Sequence, residues 1–285
     1  TMFYGLFGRP GKQPATLSSY GDTKGRDPML VNMKKQVRDE CVIDESKSKL
    51  LKVCAALTLK HDVQKHMKIK TLSLDEVIMG NEYVRPMILD SAAGYPFNTM
   101  KPKNSSSGSL KSDWIKVNHT DKTYEIDEFI LKVYTNALES YRKGERPVLY
   151  YAAQLKDEIR DNQKIADCKT RIYYVGCIIN TMIGRALFGS LMRSVELSRP
   201  LRPGQMSVAI GISERDSSIL DCYKLMTNPD IATIALDQEG FDYHQNWSVA
   251  QHLVEPINKR YCPDSWETDP DCIARKTYLE HMYHA

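Results

Sequence analysis

Two aspartates five positions apart, Asp237 and Asp242, close the stretch Ile231-Ala-Thr-Ile-Ala-Leu-Asp-Gln-Glu-Gly-Phe-Asp242. A carboxylate at the mouth of a buried strand costs several kcal/mol unless a cation or a set of donors meets it. Such a pair is therefore a candidate for holding a metal ion or reading a hydroxyl-bearing substrate. On a helix the two carboxylates would stand about 140° apart. On a strand that runs into a turn at Gly240, which tolerates backbone angles other residues avoid, both can look into one cleft. The plainer alternative is that Asp237 ends the strand and Asp242 caps a helix starting near His244 or Asn246.

The second group able to do chemistry is Lys156-Asp-Glu-Ile-Arg160-Asp-Asn-Gln-Lys164-Ile-Ala-Asp-Cys-Lys169-Thr-Arg171, five cations among four acids. Its net charge says little; its frame says more. The β-rich run at 148–152 precedes it and Ile172-Tyr-Tyr-Val-Gly-Cys-Ile-Ile179 follows, so both flanks read as strands. A looped-out strand pair can present a row of cations while the acids pair with neighbours or face solvent. Arg171, beside the β-rich run, suits a bidentate grip on a phosphate. A solvated, charge-mixed hairpin is the competing reading. The third group is the tight turn Ser91-Ala-Ala-Gly94-Tyr95-Pro96-Phe97, followed by a loop with Lys101, Lys103 and Lys111. It reads either as a surface loop with a buried tyrosine or as a backbone-led contact to a phosphodiester chain, assisted by the lysines.

These groups need a scaffold, and 285 residues supply one large domain or two small ones. The formal charge of +3 gives no global basic character, so an anionic partner has to be read from local charge. Seven cysteines, an odd number without a C-x-x-C pair or a secretory signal, point to reduced thiols in a cytosolic compartment. No apolar run approaches membrane-spanning length. The chain opens at Thr1 and stops at Ala285, which reads as a product cut from a longer polypeptide or a fragment of one.

Residues 1–25 read as extended loop with aromatic anchors. Asp27-Pro28 opens a helix whose apolar face is Leu30, Met33, Val37 and Cys41. A second helix is expected over about 44–67, with Leu50, Cys54 and Leu57. Ser73-Leu-Asp-Glu76 is a capping box and Gly80 a stop. A strong helix from about Glu125 to Lys143 points Ile130, Val133, Ala137 and Tyr141 at the core, with Gly144 ending it. From Asn180 the period is helical: Ile183, Leu187, Leu191 and Val195. A linker at 199–204, a short strand or turn at 207–212 and a helix over 213–227 lead to the aspartate-bearing strand. Beyond it, Trp247, Ala250, Leu253 and Ile257 form a helix face that Pro256 kinks or ends. Cys262, Asp264, Asp269, Asp271 and Cys272 fit no zinc spacing and read as a surface loop. A last helix starts near Arg275, with His281 and His284 as ordinary surface residues.

Taken in order, these stretches resemble the first half of a picornavirus-like RNA-dependent RNA polymerase. Lys156-Asp-Glu-x-Arg160, Lys164, Lys169 and Thr170-Arg171 resemble the family's ring-finger signature. Gly94-Tyr95-Pro96 resembles its template turn, and Asp237-x4-Asp242 its first palm motif. Phe3-Tyr-Gly-Leu-Phe7 with Pro14-Ala-Thr-Leu17 resembles, more loosely, the N-terminal finger segment. The resemblance implies a catalytic role for Asp237, binding Mg2+ (or Mn2+), and a role for Asp242 at the ribose 2′-hydroxyl. It implies that Lys156, Lys164, Lys169 and Arg171 meet the nucleoside triphosphate. Ser91, Gly94, Tyr95, Pro96 and Arg160 would lie along the RNA template. The implied fold is α/β (α+β): a right-hand polymerase with helix-rich fingers, a partial antiparallel palm sheet and no thumb. Residues 1–228 would form fingers with the start of the palm, and 229–285 a palm portion that stops before the second and third palm motifs. Implied partners are RNA template and primer, ribonucleoside triphosphates and other viral replication proteins, at replication complexes in the host cytoplasm.

Two departures bear on these expectations. Ala92 stands where relatives commonly carry serine, which removes a side-chain contact at the turn. No Ser-Gly-rich loop followed by Thr and no Gly-Asp-Asp occurs, so the remaining metal carboxylates are missing and the chain alone is expected to be inactive. The rival from another class is a non-catalytic RNA-binding module built on the lysine loop and the 156–171 row. Another phosphotransferase is disfavoured because no G-x4-G-K-[ST] loop occurs.

Overall fold

The computed structural model describes residues 11–21, 24–34, 43–62, 67–103, 105, 107–118, 120–197, 220, 223–224, 226–230 and 246–284. In chain order these contain β1 (Lys12–Pro14), α1 (Pro28–Met33), α2 (Glu45–Asp62), α3 (Leu74–Met79), α4 (Lys111–Trp114), β2 (Ile115–Asn118), β3 (Thr123–Ile126), α5 (Glu128–Arg142), β4 (Tyr151–Leu155), β5 (Ile159–Asp161), α6 (Asn162–Ala166), β6 (Ile172–Gly176), α7 (Ile178–Leu197), α8 (Trp247–Tyr261) and α9 (Pro270–His284). The strands form three antiparallel pairs, β1 with β5, β2 with β3 and β4 with β6. The expected linker, the strand or turn at 207–212 and the strand carrying Asp237 and Asp242 lie outside the described residues, as does most of 213–227.

The core is built on α7. Its period-four face buries Ile179, Ile183, Leu187 and Leu191, and a second row buries Ile178, Met182 and Ala186. Against these pack Val77 and Ile78 of α3, Ile130, Tyr134, Ala137 and Tyr141 of α5, and Ala274 and Tyr278 of α9. Each fully buried aliphatic side chain here contributes about 1.5–3 kcal/mol over leaving it in water.

Local signals set several boundaries as expected. Asp27 Oδ1 accepts from the Met29 and Leu30 N–H groups, with Pro28 at the first helical position. The Ser73–Glu76 capping box is fully formed and Gly80, at φ 76°, closes α3. The helix expected to begin near His244 or Asn246 starts at Trp247, with Asn246 as its cap accepting from Ser248 N–H; Asp242, read as the cap, lies outside the described residues. Elsewhere the structure corrects the sequence. Residues 123–126 are strand, paired from Ile115↔Ile126 to Asn118↔Thr123. The helix therefore starts only at Glu128, with Asp127 accepting from Phe129 N–H. The strand expected at 148–152 is shifted to 151–155, and the following one ends at Gly176 because Ile178 already belongs to α7.

The expected face of α1 is not the buried one. Leu30 is 57% and Met33 42% exposed, while Asn32 is buried and donates to Cys168 O at 3.0 Å. On α2, Leu50 and Leu57 are exposed and Ala55 is buried; the helix is described to Asp62, and Met67, outside it, joins the core. α8 passes through Pro256 to Tyr261. One lost backbone bond is tolerated there because Val254 is buried on one side and Asn258, on the other, donates to Cys272 O at 2.9 Å. His281 is half-buried rather than an ordinary surface residue, its Nδ1 2.6 Å from the Tyr141 hydroxyl.

Candidate nucleic-acid interface

The basic stretch is a loop held open by strands. β4 and β6 pair from Tyr151↔Gly176 to Leu155↔Ile172. The ladder continues one step further, the Lys156 N–H donating to Arg171 O at 2.8 Å. Lys156 and Arg171, fifteen positions apart in sequence, thereby become neighbours at the neck of the loop.

The loop is not a free hairpin, because the N-terminal segment straps it. β1 pairs with β5 through Lys12↔Asp161, Gln13↔Arg160 and Pro14↔Ile159. Ala15 N–H donates to Glu158 O at 2.8 Å, and the buried Thr170 hydroxyl donates to Thr16 O at 2.7 Å. Arg26 Nη2 donates to Ala166 O at 2.7 Å, and Asn32 of α1 reaches Cys168 O. Residues 11–16, part of the segment read from sequence as extended loop, thus pair along the outer strand of this loop.

Charge within the loop converges on one acid. Arg171 grips Glu158 with both Nε and Nη2, Arg160 Nη1 lies 3.3 Å from the same carboxylate and Lys156 Nζ 3.6 Å. Hydrogen bonding to Arg171, ahead of the other cations, holds the Glu158 carboxyl below its ordinary range. Lys164 pairs with Asp161 at 3.6 Å and Lys169 with Asp167 at 3.4 Å. Every cation of the row therefore has a carboxylate close by. The side chains of Lys156 and Arg171 are about half exposed, so each stays open to solvent beyond its contact with Glu158. Arg160 is less exposed: its Nη2 donates to Lys169 O at 3.3 Å, while its Nε is buried and has no hydrogen-bond partner among the described residues. Sequence reading named the cations but not Glu158 as their organiser, although its central place among them was a usable signal.

The glycine turn sits against the same hairpin. Gly94 has φ +75°, and a Cβ there would lie 2.7 Å from both Cys177 Cα and Gly176 O, at the end of β6. Ile178 N–H donates to Ala93 O at 2.7 Å, tying the turn to the start of α7. The Tyr95–Pro96 peptide is cis. Tyr95 stays about half exposed, its ring set edge-on to Tyr150 at 5.6 Å. Lys111 is not one of the loop's outward cations. It is only 7% exposed, and its Nζ donates to Ser91 Oγ at 2.7 Å and Ala92 O at 3.0 Å. Burial pulls its pKa down. Ser91 Oγ in turn donates to Ile88 O at 3.2 Å, so this hydroxyl serves the turn's own framework.

Gly94→Ala meets both a left-handed backbone and a backbone clash. It is expected to cost about 2–4 kcal/mol, read as a lower denaturation midpoint. An unchanged midpoint would show that the turn does not dock on Gly176 and Cys177. Asp237 and Asp242 lie outside the described residues; of the predicted groups, the 156–171 row opens from one end of the β4–β6 ladder and the 91–96 turn docks at the other, at Gly176 and Cys177.

A strand pair with a basic loop at one end and a glycine turn docked at the other, in a mixed α/β fold, defines a class. The model of the family described as viral RNA-dependent RNA polymerase matches residues 7–284, and the chain belongs to that family. Among its relatives, the genome polyprotein of human rhinovirus 16 is 26% identical over 294 residues, spanning 99% of this chain and 12% of the polyprotein. The RNA1 polyprotein of tomato ringspot virus (isolate raspberry) is 24% identical, over 91% of this chain and 12% of that one. The solved Sicinivirus 3Dpol RNA dependent RNA polymerase shares the fold at a TM-score of 0.73 and 21% identity, covering 98% of this chain and 53% of that one. The chain thus spans about half the length of that polymerase and a small part of the polyproteins.

Proposed function

We propose that this chain forms the fingers (1–228) and the beginning of the palm (229–285) of a polymerase that copies an RNA template from ribonucleoside triphosphates. The observation that carries this reading is the gathering of Lys156, Arg160 and Arg171 around Glu158, on a loop whose frame also docks the Gly94 turn. In the resting chain Glu158 holds the cations in place. An arriving triphosphate competes for Arg171 and Lys156, which then fix its phosphates and offset the charge that builds on their oxygens during transfer. Lys164 and Lys169, on the rim, raise the local concentration of the anionic substrate. The template strand passes the turn at Ser91, Gly94, Tyr95 and Pro96, where Tyr95 offers a ring face for a base, and Arg160 meets it further along.

Asp237 is assigned the divalent ion and Asp242 the ribose 2′-hydroxyl. A carboxylate is a hard oxygen donor suited to Mg2+ or Mn2+, and a single one leaves most of the shell to water and substrate phosphate. When bound, the ion supplies charge neutralisation on the transferring phosphate. Primer, other replication proteins and replication complexes in the host cytoplasm complete the proposal.

The test is primer extension by the chain joined to its downstream sequence. Arg171→Gln keeps one amide donor and loses the charged second arm of a bidentate grip, and a charged hydrogen bond is worth about 1.5–3 kcal/mol. It should therefore lower kcat/KM for the nucleotide roughly 10–100-fold, with template binding little changed. An unaltered kcat/KM would remove Arg171, and the Glu158 exchange with it, from the mechanism.

A further inference from the structure

The loop joining α8 to α9, which by spacing matches no metal motif, is folded so that its ends meet. Cys262 caps the C-terminus of α8, and Asp269 and Cys272 stand at the start of α9. One ligand atom from each, two sulfurs and a carboxylate oxygen, all lie within 4.8 Å of one another. We propose that Cys262, Asp269 and Cys272 bind a thiophilic divalent ion, with Zn2+ the best match, as a clasp between the last two helices. None of the three residues is among those assigned to the polymerase reaction.

The geometry is close to what zinc needs. With Zn–S bonds of about 2.3 Å, the sulfurs of a tetrahedral site stand about 3.8 Å apart. The three side chains have to close in by about 1 Å, within reach of small rotations. Two thiolates and one carboxylate favour zinc over magnesium or calcium, which take oxygen shells. Water fills the fourth position on the side of Cys262, which is only partly buried.

The surroundings already orient the ligands. Asp269 Oδ1 accepts from the Cys272 N–H at 2.9 Å, and Ser265 O accepts from the Asp269 N–H at 2.9 Å, so the loop is fixed before any ion arrives. Arg275, fully buried, donates from Nη1 to Cys272 Sγ at 3.1 Å. Such donors to the ligand atoms tune and steady metal sites. The guanidinium does not oppose the ion. Exchanging two thiol protons for one divalent cation leaves the net charge of the cluster unchanged, and the resulting thiolate sulfur accepts the Arg275 hydrogen bond more strongly.

The test uses the full chain, stripped with a chelator, titrated with Zn2+ alone and desalted before bound zinc is measured. One zinc per chain is expected, and Co2+ in its place should give thiolate-to-metal charge-transfer absorption. Cys262→Ser should abolish stoichiometric uptake. Asp269→Asn keeps a helix-capping side chain while removing the carboxylate, so it should lower affinity at least about tenfold with the fold retained. Cys54→Ser, at an exposed cysteine of α2, should still bind one ion; circular dichroism confirms that each variant is folded. The proposal is overturned if the chain takes up no zinc, if uptake survives both Cys262→Ser and Asp269→Asn, or if the stripped chain instead carries a Cys262–Cys272 disulfide.

Discussion

Asp237→Asn, in the chain joined to its downstream sequence, is expected to lower nucleotide incorporation by on the order of 10³-fold or more. The substitution keeps the shape of the side chain and removes the charge that would hold a divalent ion against the substrate phosphates. Losing one fixed electrostatic contact to a developing oxyanion costs about 10²–10³ in kcat, and losing an ion forfeits more, since it neutralises several oxygens at once. Because the change is nearly isosteric, template RNA should bind as before, with the loss falling on kcat. Single-turnover incorporation measured beside RNA binding separates these outcomes. An Asp237→Asn enzyme that still extends a primer at a comparable rate would show that the acid ending the 231–236 run is not the metal ligand.

Arg275→Ala is expected to destabilise the chain by about 3–5 kcal/mol, a large share of the 5–15 kcal/mol that holds a typical domain together. The side chain is 1% exposed and links three regions. Nε donates to Leu187 O of α7 at 3.1 Å, Nη2 to the Thr71 hydroxyl at 2.6 Å, and Nη1 lies 3.5 Å from Asn258 Oδ1 of α8. The guanidinium lies 3.4 Å over the Tyr261 ring, a cation–π contact worth up to about 2 kcal/mol when desolvated. Truncation leaves the buried Asn258 Oδ1 without this donor, about 1–3 kcal/mol, while Leu187 O keeps its partner within α7, and it opens a cavity beside them. Arg275→Lys should recover only part of the loss, because a single ammonium cannot span the same acceptors. A fall in denaturant midpoint at constant m value reads this directly. A loss below about 1 kcal/mol would mean that Arg275 does not join α7, α8 and the segment before α3.

What the sequence determined by itself lies close along the chain. The caps at Asp27 and Ser73 and the stop at Gly80 form because groups within four residues of one another along the chain can satisfy each other without outside help. The four-residue period of α7 needs only one apolar side, whatever lies opposite. The strand–loop–strand around 156–171 was visible for the same reason, as was the resemblance to the polymerase family, which rests on residue types at fixed spacing.

Tertiary structure decided what depends on a distant partner. Three-residue β1 carries no pattern of its own and becomes a strand only because β5 meets it. Lys111 looks like any loop lysine until Ser91 and Ala92 fold over it. Leu30 and Leu50 satisfy a helical period yet stay exposed among the described residues, where Asn32 and Ala55 are buried instead. Cys262, Asp269 and Cys272 are badly spaced for a metal along the chain and well placed in space, since two helix ends bring them together. Periodicity and capping are intra-segment free energies, whereas burial and convergence are free energies of pairs that are far apart in sequence, which one segment does not encode.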